Sequence, residues 1–418
     1  MKIALIEISS AVHDQSYIDR SLEGFIKELE EHFNLTFFDI ENISEIEKSE
    51  YDIILNFVKT GGTENLFKDK FSELPRPFYF LATSLHNSLP ASIEMLSYVQ
   101  SQGEIGKILH GDMAKLLEEI KKYGKINSTK KRISNSKLGV IGEPSDWLIA
   151  SKVNYSEVKT KWGLNIVDIE LDEVFEKFKV QDDEKVEDIV NKFLANADEI
   201  VENTKDDTRD AVRVYLALKE IVEKYELDAL TIRCFDIVQQ LNTTGCLALS
   251  YLNDDGIIAG CEGDVPATFT MMVIKYLFNE ESFMANPYKI DIENNRIKFA
   301  HCTVPTALCT KYNSRSHFET GIGVGIQGTI PEGPATVMKI GGKNLNKYYL
   351  EEGSIDLNLD NSHACRTQIE VSFKDEIDIE EYFFEKPLGN HQVIVPGKFS
   401  EIVNDFFKIF SLNQSVDS

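Results

Sequence analysis

GIIAGCEGDVPATFTMMVIKYLF, residues 256–278, joins two apolar segments through an acidic turn. Ile257, Ile258 and Ala259 read as a short buried strand. Phe269, Met272, Val273, Tyr276 and Leu277 recur at three- and four-residue spacing, which is one stripe of a helix. A strand that passes directly into a helix is half of a βα unit and implies a parallel sheet. The turn CEGDVP (261–266) then stands at the carboxyl end of a strand, where open α/β sheets bind their ligands.

Upstream, the same alternation repeats twice. LGVIG (138–142), LNIVDIEL (164–171) and DALTIRCF (228–235) are strand-like, with an acidic helical region around 183–225 among them. Before them come KIALIEI (2–8), YDIILNFV (51–58) and PFYFLA (77–82), with Leu22, Phe25, Ile26, Leu29 and Phe33 on one helical stripe. The basic, polar stretch KINSTKKRISNSK (125–137) reads as a linker or exposed turn between the two halves. Downstream the texture changes. YKIDIENNRIKFAHCTV, GIGVGIQGTI, ATVMKIGG, SIDLNLD, CRTQIEVSF and HQVIVPG are short strand-like runs broken by Gly, Asn and Pro, and FSEIVNDFFKIFSL is a last helix. The expected fold class is therefore α/β: two Rossmann-like parallel-sheet domains, 1–134 and 135–285, then a β-rich, barrel-like domain over 286–418.

The 418 residues carry a formal net charge of −25. A surface of that sign repels nucleic acid and anionic membranes, so neither is an expected partner. The opening apolar run is too short for a signal peptide, and six scattered cysteines without a CxxC pair fit reduced thiols, so a cytoplasmic location is expected. Gly323-x-Gly325-x-x-Gly328 has dinucleotide spacing, but TIPEGPATV follows it instead of a helix. The bland reading, small residues in a strand, is preferred. TGGTE (60–64) lacks the Lys-Ser/Thr of a phosphate loop and reads as a tight βα turn.

Within CEGDVP, Asp264 precedes Val-Pro and suits a helix N-cap. Glu262 is harder to place, because a carboxylate at the end of an apolar strand is costly unless a cation or hydrogen bonds meet it. His301 ends the strand RIKFAH, and His391 stands at the mouth of HQVIVPG. One carboxylate and two histidines at strand ends form an oxygen/nitrogen set for a divalent ion such as Mn²⁺. Trp147 can stack on a sugar or pack in a core, and Asn87 is a loop amide at a strand end that also suits a turn. Glu143 and Asp146 read as caps of the next helix, His317 and His363 as loop histidines that could also reach a sugar hydroxyl, and Cys234, Cys261 and Cys302 as small buried residues.

Several long segments resemble the L-fucose isomerase and L-arabinose isomerase superfamily, particularly its shorter fucose isomerase-like branch. They are NSLPASIE, GVIGEPSDWLIAS, LTIRCFD, CEGDVPATFTM, FMANPYKIDIENNRIKFAHCTVP, HFETGIGVGIQGTIPEGPATV, CRTQIEV and PLGNHQVIVPG. The resemblance implies a Mn²⁺-dependent aldose–ketose isomerase working through an enediol on a small sugar. It also implies a homo-oligomer, a trimer or hexamer. It places Glu262 as metal ligand and acid/base, with His301 and His391 as ligands. The family's second carboxylate falls at Asn286, or at Ala285 if the register slips by one; the Asn286 amide oxygen can ligate a hard cation but cannot shuttle protons. Asp264 or Asp236 would have to take that role, Asp236 otherwise contacting substrate. Two α/β lobes also occur in non-catalytic sugar-binding proteins, which is the alternative reading.

Overall fold

The computed structural model describes residues 1–415, which divide into two compact units, Met1–Lys131 and Arg132 onward. The first unit is a five-stranded sheet of β1 (Lys2–Ile8), β2 (Asn34–Asp39), β3 (Ile53–Val58), β4 (Phe78–Ala82) and β5 (Gly106–Leu109). Its order is β2-β1-β3-β4-β5, with every pair parallel. TGGTE is the tight turn between β3 and the helix Glu64–Lys70, with Gly62 at φ +74°. Asn87 adopts a left-handed conformation before the helix Ser88–Ser101, and its side chain makes no cap hydrogen bond.

The second unit opens with a four-stranded parallel sheet of β6 (Lys137–Ile141), β7 (Asn165–Ile169), β8 (Ala229–Ile232) and β9 (Ile258–Cys261), in the order β7-β6-β8-β9. The strands that follow are β10 (Phe283–Asp291), β11 (Arg296–His301), β12 (Lys311–Arg315), β13 (Gly325–Thr329), β14 (Gly333–Gly341), β15 (Lys347–Asn358), β16 (Thr367–Phe373), β17 (Gln392–Pro396) and β18 (Asn413–Gln414). Antiparallel pairing runs β14-β17-β10-β11-β16-β15 and returns from β15 to β14, which closes a six-stranded barrel. Closure removes the exposed edges that an open antiparallel sheet would present. β18 adds to β15, and β12 pairs with β13 alone. The glycine-rich GIGVGIQG thus ends in a strand, with no helix after it to hold a pyrophosphate.

Two expectations change. The stretch 125–137 is not a linker: most of it belongs to one helix, Met113–Ser134. Tyr123, Ile126 and Ile133 fall on one face and are buried. The lysines and serines between them hid a stripe of only one apolar residue per turn. The boundary expected at 285/286 falls inside β10, within a single compact unit. The reason is a shared core. Val190, Phe193 and Val212 of the helices Asp183–Asn196 and Lys205–Tyr225 pack with the barrel residues Phe283, Phe299, Val337 and Ile394.

The helix Val265–Phe278 is almost wholly buried. It packs on β9 and on the barrel strands β14 and β17. This explains an apolar run longer than one stripe requires: a helix covered on both sides needs no polar face. It also brings the carboxyl end of β9 to the barrel strands that carry the histidines.

Candidate metal centre

Glu262 and Gly263 both take left-handed backbone conformations, φ +62° and +73°. A non-glycine residue there is uncommon and must be held by its surroundings. The hold comes from the loop after β6: Ser145 N donates to Glu262 O at 2.9 Å. Gly263 is required because a Cβ would come within 2.5 Å of Pro144 Cα. Gly263→Ala therefore forces both the backbone angle and the loop. It is expected to destabilise the protein by about 1–3 kcal/mol and to weaken divalent-metal binding. Denaturation and a Mn²⁺ titration check this, and a variant that binds Mn²⁺ normally would show that the turn tolerates the change.

The turn aims Glu262 into a buried cluster. Glu262, His301 and His391 offer ligand atoms that all lie within 4.8 Å of one another, near enough for small side-chain rotations to let them share one ion. Glu262 Oε2 accepts from Trp147 Nε1 at 2.6 Å, which leaves Oε1 toward His391 Nε2 at 3.6 Å. His301, the last residue of β11, bonds Thr303 Oγ1 through Nδ1 at 2.8 Å, so Nε2 is its remaining ligand nitrogen. His391, just before β17, engages Asp264 Oδ2 through Nδ1 at 2.9 Å. Its Nε2 is buried without a hydrogen-bond partner. An orphaned buried nitrogen facing a carboxylate is an expensive arrangement unless something fills the gap. The donor set, two imidazoles and one carboxylate, suits a divalent cation such as Zn²⁺ or Mn²⁺.

The electrostatics agree. Burial pushes Glu262 up, but the charge of His391 facing it at 3.6 Å, with His301 and the Trp147 N–H, brings it down to about 2. Burial and the neighbouring His391 bring His301 down to about 3, so it is a neutral ligand. Burial opposes the charged form of His391, yet Asp264 and Glu262 raise it to about 9. In the absence of a metal, His391 carries a proton between two carboxylates, and a divalent ion supplies positive charge at the same point.

Asp264 is fully buried and caps the helix Val265–Phe278 by accepting from Ala267 N at 2.8 Å. It also accepts from Lys339 Nζ at 3.1 and 3.3 Å. Despite its burial, Lys339 and His391 hold Asp264 well below the ordinary carboxylate range. All its lone-pair directions inside the protein are thus engaged.

Asn286 pairs across the sheet with Ala300, beside His301, and its Oδ1 accepts from Asn390 Nδ2 at 2.9 Å. Asp236 is engaged by Arg233 Nε at 3.0 Å. Trp147 is 50% exposed; its ring meets Phe235 edge-to-face, and its N–H goes to Glu262. Asn87 belongs to the first unit, at the start of the helix Ser88–Ser101. Asp146 does not cap the next helix: Asn154 caps Tyr155–Trp162, and Asp146 meets Arg233 at 2.7 Å. His317 is buried against Phe235, and His363 is exposed. All six cysteines are free, and Cys234 Sγ and Cys261 Sγ are 3.3 Å apart.

Sequence reasoning missed Lys339 and Thr303. Lys339 had a signal: it interrupts the apolar run Val337-Met338-Ile340 of β14, and a lysine within such a run needs a partner. Thr303 had none, because a threonine two residues past a histidine is unremarkable.

The fold and site together define a class, an α/β protein with an appended β-barrel whose buried carboxylate and two histidines can hold a divalent ion. Residues 150–280 match the family described as L-arabinose isomerase central domain. That match contains Glu262 and Asp264 and ends before β10. Among curated proteins, the chain is 29% identical over 225 residues to a sulfoquinovose isomerase of Clostridium sp. (strain MSTE9), covering 51% of this chain and 49% of that protein. It is 27% identical over 176 residues to the sulfoquinovose isomerase of Priestia aryabhattai, 41% of this chain and 39% of the other. With the one from Alkalicoccus urumqiensis it shares 24% over 221 residues, 52% and 49%. The chain thus spans half or less of the length of these relatives. Among the described residues no helix is long and apolar enough to cross a membrane.

Proposed function

We propose that this protein is a metal-dependent sugar isomerase that interconverts an aldose and a ketose. The observation that carries the reading is the buried Glu262–His301–His391 cluster, with its orphaned His391 nitrogen, in a chain whose central segment matches an isomerase family. A divalent ion such as Mn²⁺, held by Glu262, His301 and His391, would supply Lewis-acid charge to polarise the sugar carbonyl.

The chain's own residues divide the remaining work. Glu262 and the two histidines would hold the ion, and Trp147, by binding Oε2, leaves Oε1 of Glu262 to face it. Trp147 and Phe235 give the half-exposed aromatic surface on which a sugar face can rest. A carboxylate held near 2 is a good ligand and a poor base at neutral pH. A second group must therefore take up the proton passing between C1 and C2. Asp264 and Asp236 are both already engaged. His317, kept neutral by burial and by the Arg366 charge, is available to accept it.

The test is turnover of a sugar panel by the Mn²⁺-loaded protein, with sulfoquinovose among the sugars because the relatives carry that name. Aldose-to-ketose conversion that a chelator abolishes and Mn²⁺ restores is the expected result. Binding of a sugar without any conversion would favour the non-catalytic reading, and failure to bind Mn²⁺ would remove the metal from the proposal.

A further inference from the structure

Lys339 is the least expected side chain near the centre. It lies on β14 with Ala335 and Val337, which face the barrel core, and directly opposite the buried Tyr349. Its side chain is fully buried. A lysine in that position forfeits its hydration, and only close pairing offsets the loss. The pairing is with Asp264 alone among the described residues, through both carboxylate oxygens.

We propose that Lys339 is a positioning residue for the metal centre, acting through Asp264 on His391, an inference that rests on the metal-dependent reading above. Three contacts make the chain of action. Lys339 Nζ spans the two oxygens of Asp264 and sets the rotation of the carboxylate. That rotation lets Oδ1 cap the helix through Ala267 N while Oδ2 meets His391 Nδ1. With Nδ1–H donating to Asp264, the imidazole is held in the tautomer and orientation that turn Nε2 toward Glu262 Oε1. Tethering one carboxylate to a helix start, a barrel strand and a metal ligand ties the site to the joint between the parallel sheet and the barrel.

The test is Mn²⁺ titration of the full chain, followed by the electron paramagnetic resonance of free and bound ion, on wild type, Lys339→Met and Lys339→Arg. Circular dichroism at the working temperature confirms that each variant is folded. Lys339→Met is expected to bind Mn²⁺ roughly 10–100-fold more weakly, the usual scale for losing an outer partner of a ligand. Lys339→Arg, which keeps the charge, is expected to recover part of that loss. In a His391→Ala background Lys339→Met should change the affinity no further. Should Lys339→Met fail to fold, the charge-neutral pair Asp264→Asn with Lys339→Met, read the same way, decides. Wild-type Mn²⁺ affinity in folded Lys339→Met, or an undiminished Lys339→Met effect in the absence of His391, overturns the inference. Absence of Mn²⁺ binding by wild type overturns the underlying metal reading instead.

Discussion

Replacing Glu262 with glutamine is expected to weaken Mn²⁺ binding, and to lower turnover with it, by about 10²-fold or more through loss of the charged ligand. Shape is preserved, so the effect isolates charge and donor pattern. In the wild type Oε2 accepts from the Trp147 N–H and Oε1 faces His391 Nε2. A glutamine has one oxygen for these two places. If the oxygen stays with Trp147, the amide NH₂ faces the metal position and cannot ligate. If it turns to the metal, two N–H donors confront each other at Trp147. Either way a neutral group replaces the only carboxylate in the set, and two buried histidines must hold a divalent ion without it. Mn²⁺ titration and steady-state kinetics on the same sample check the two halves. Retention of both affinity and turnover within a few-fold would refute Glu262 as a ligand.

The second large effect is on stability. Asparagine and aspartate are nearly equal as helix N-caps, so a pure capping role for Asp264 predicts a loss of a few tenths of a kcal/mol for Asp264→Asn. The structure gives a different expectation. Asp264 accepts from Ala267 N, Lys339 Nζ and His391 Nδ1 at once. Asparagine must turn its NH₂ toward one of these donors, and it leaves the buried Lys339 without a counterion. Removing one partner of a buried ion pair typically costs about 3–5 kcal/mol. Denaturant unfolding of the variant should show a loss of that order, and a loss under about 1 kcal/mol would return Asp264 to a simple cap.

These two expectations show how far the sequence could be read. CEGDVP announced a strand end, a carboxylate needing a partner and a capped helix, because each follows from local spacing and from the cost of burying charge. His301 and His391 were legible as histidines at strand ends. Asn286 and Asp236 were singled out by the family resemblance, and the structure engages one with Asn390 and the other with Arg233. The Arg233–Asp236 pair is a local i,i+3 spacing, whereas Asn390 is 104 residues from Asn286 and leaves no trace in the spacing. The helix over 113–134 was missed where the apolar stripe thinned to one residue per turn.

Local sequence determined the elements, since period-two and period-3.6 patterns, glycine at φ > 0 and an Asp-Val-Pro start are properties of neighbouring residues. It also determined that Glu262 must meet a cation or a donor. Only the tertiary structure decided which groups those are. Trp147, His301 and His391 are 115, 39 and 129 residues from Glu262 along the chain. The two histidines reach it because a barrel closes and a helix buried on both faces joins it to the parallel sheet. Closure of the barrel depends on the summed pairing of six strands, and no single stretch of sequence carries that sum.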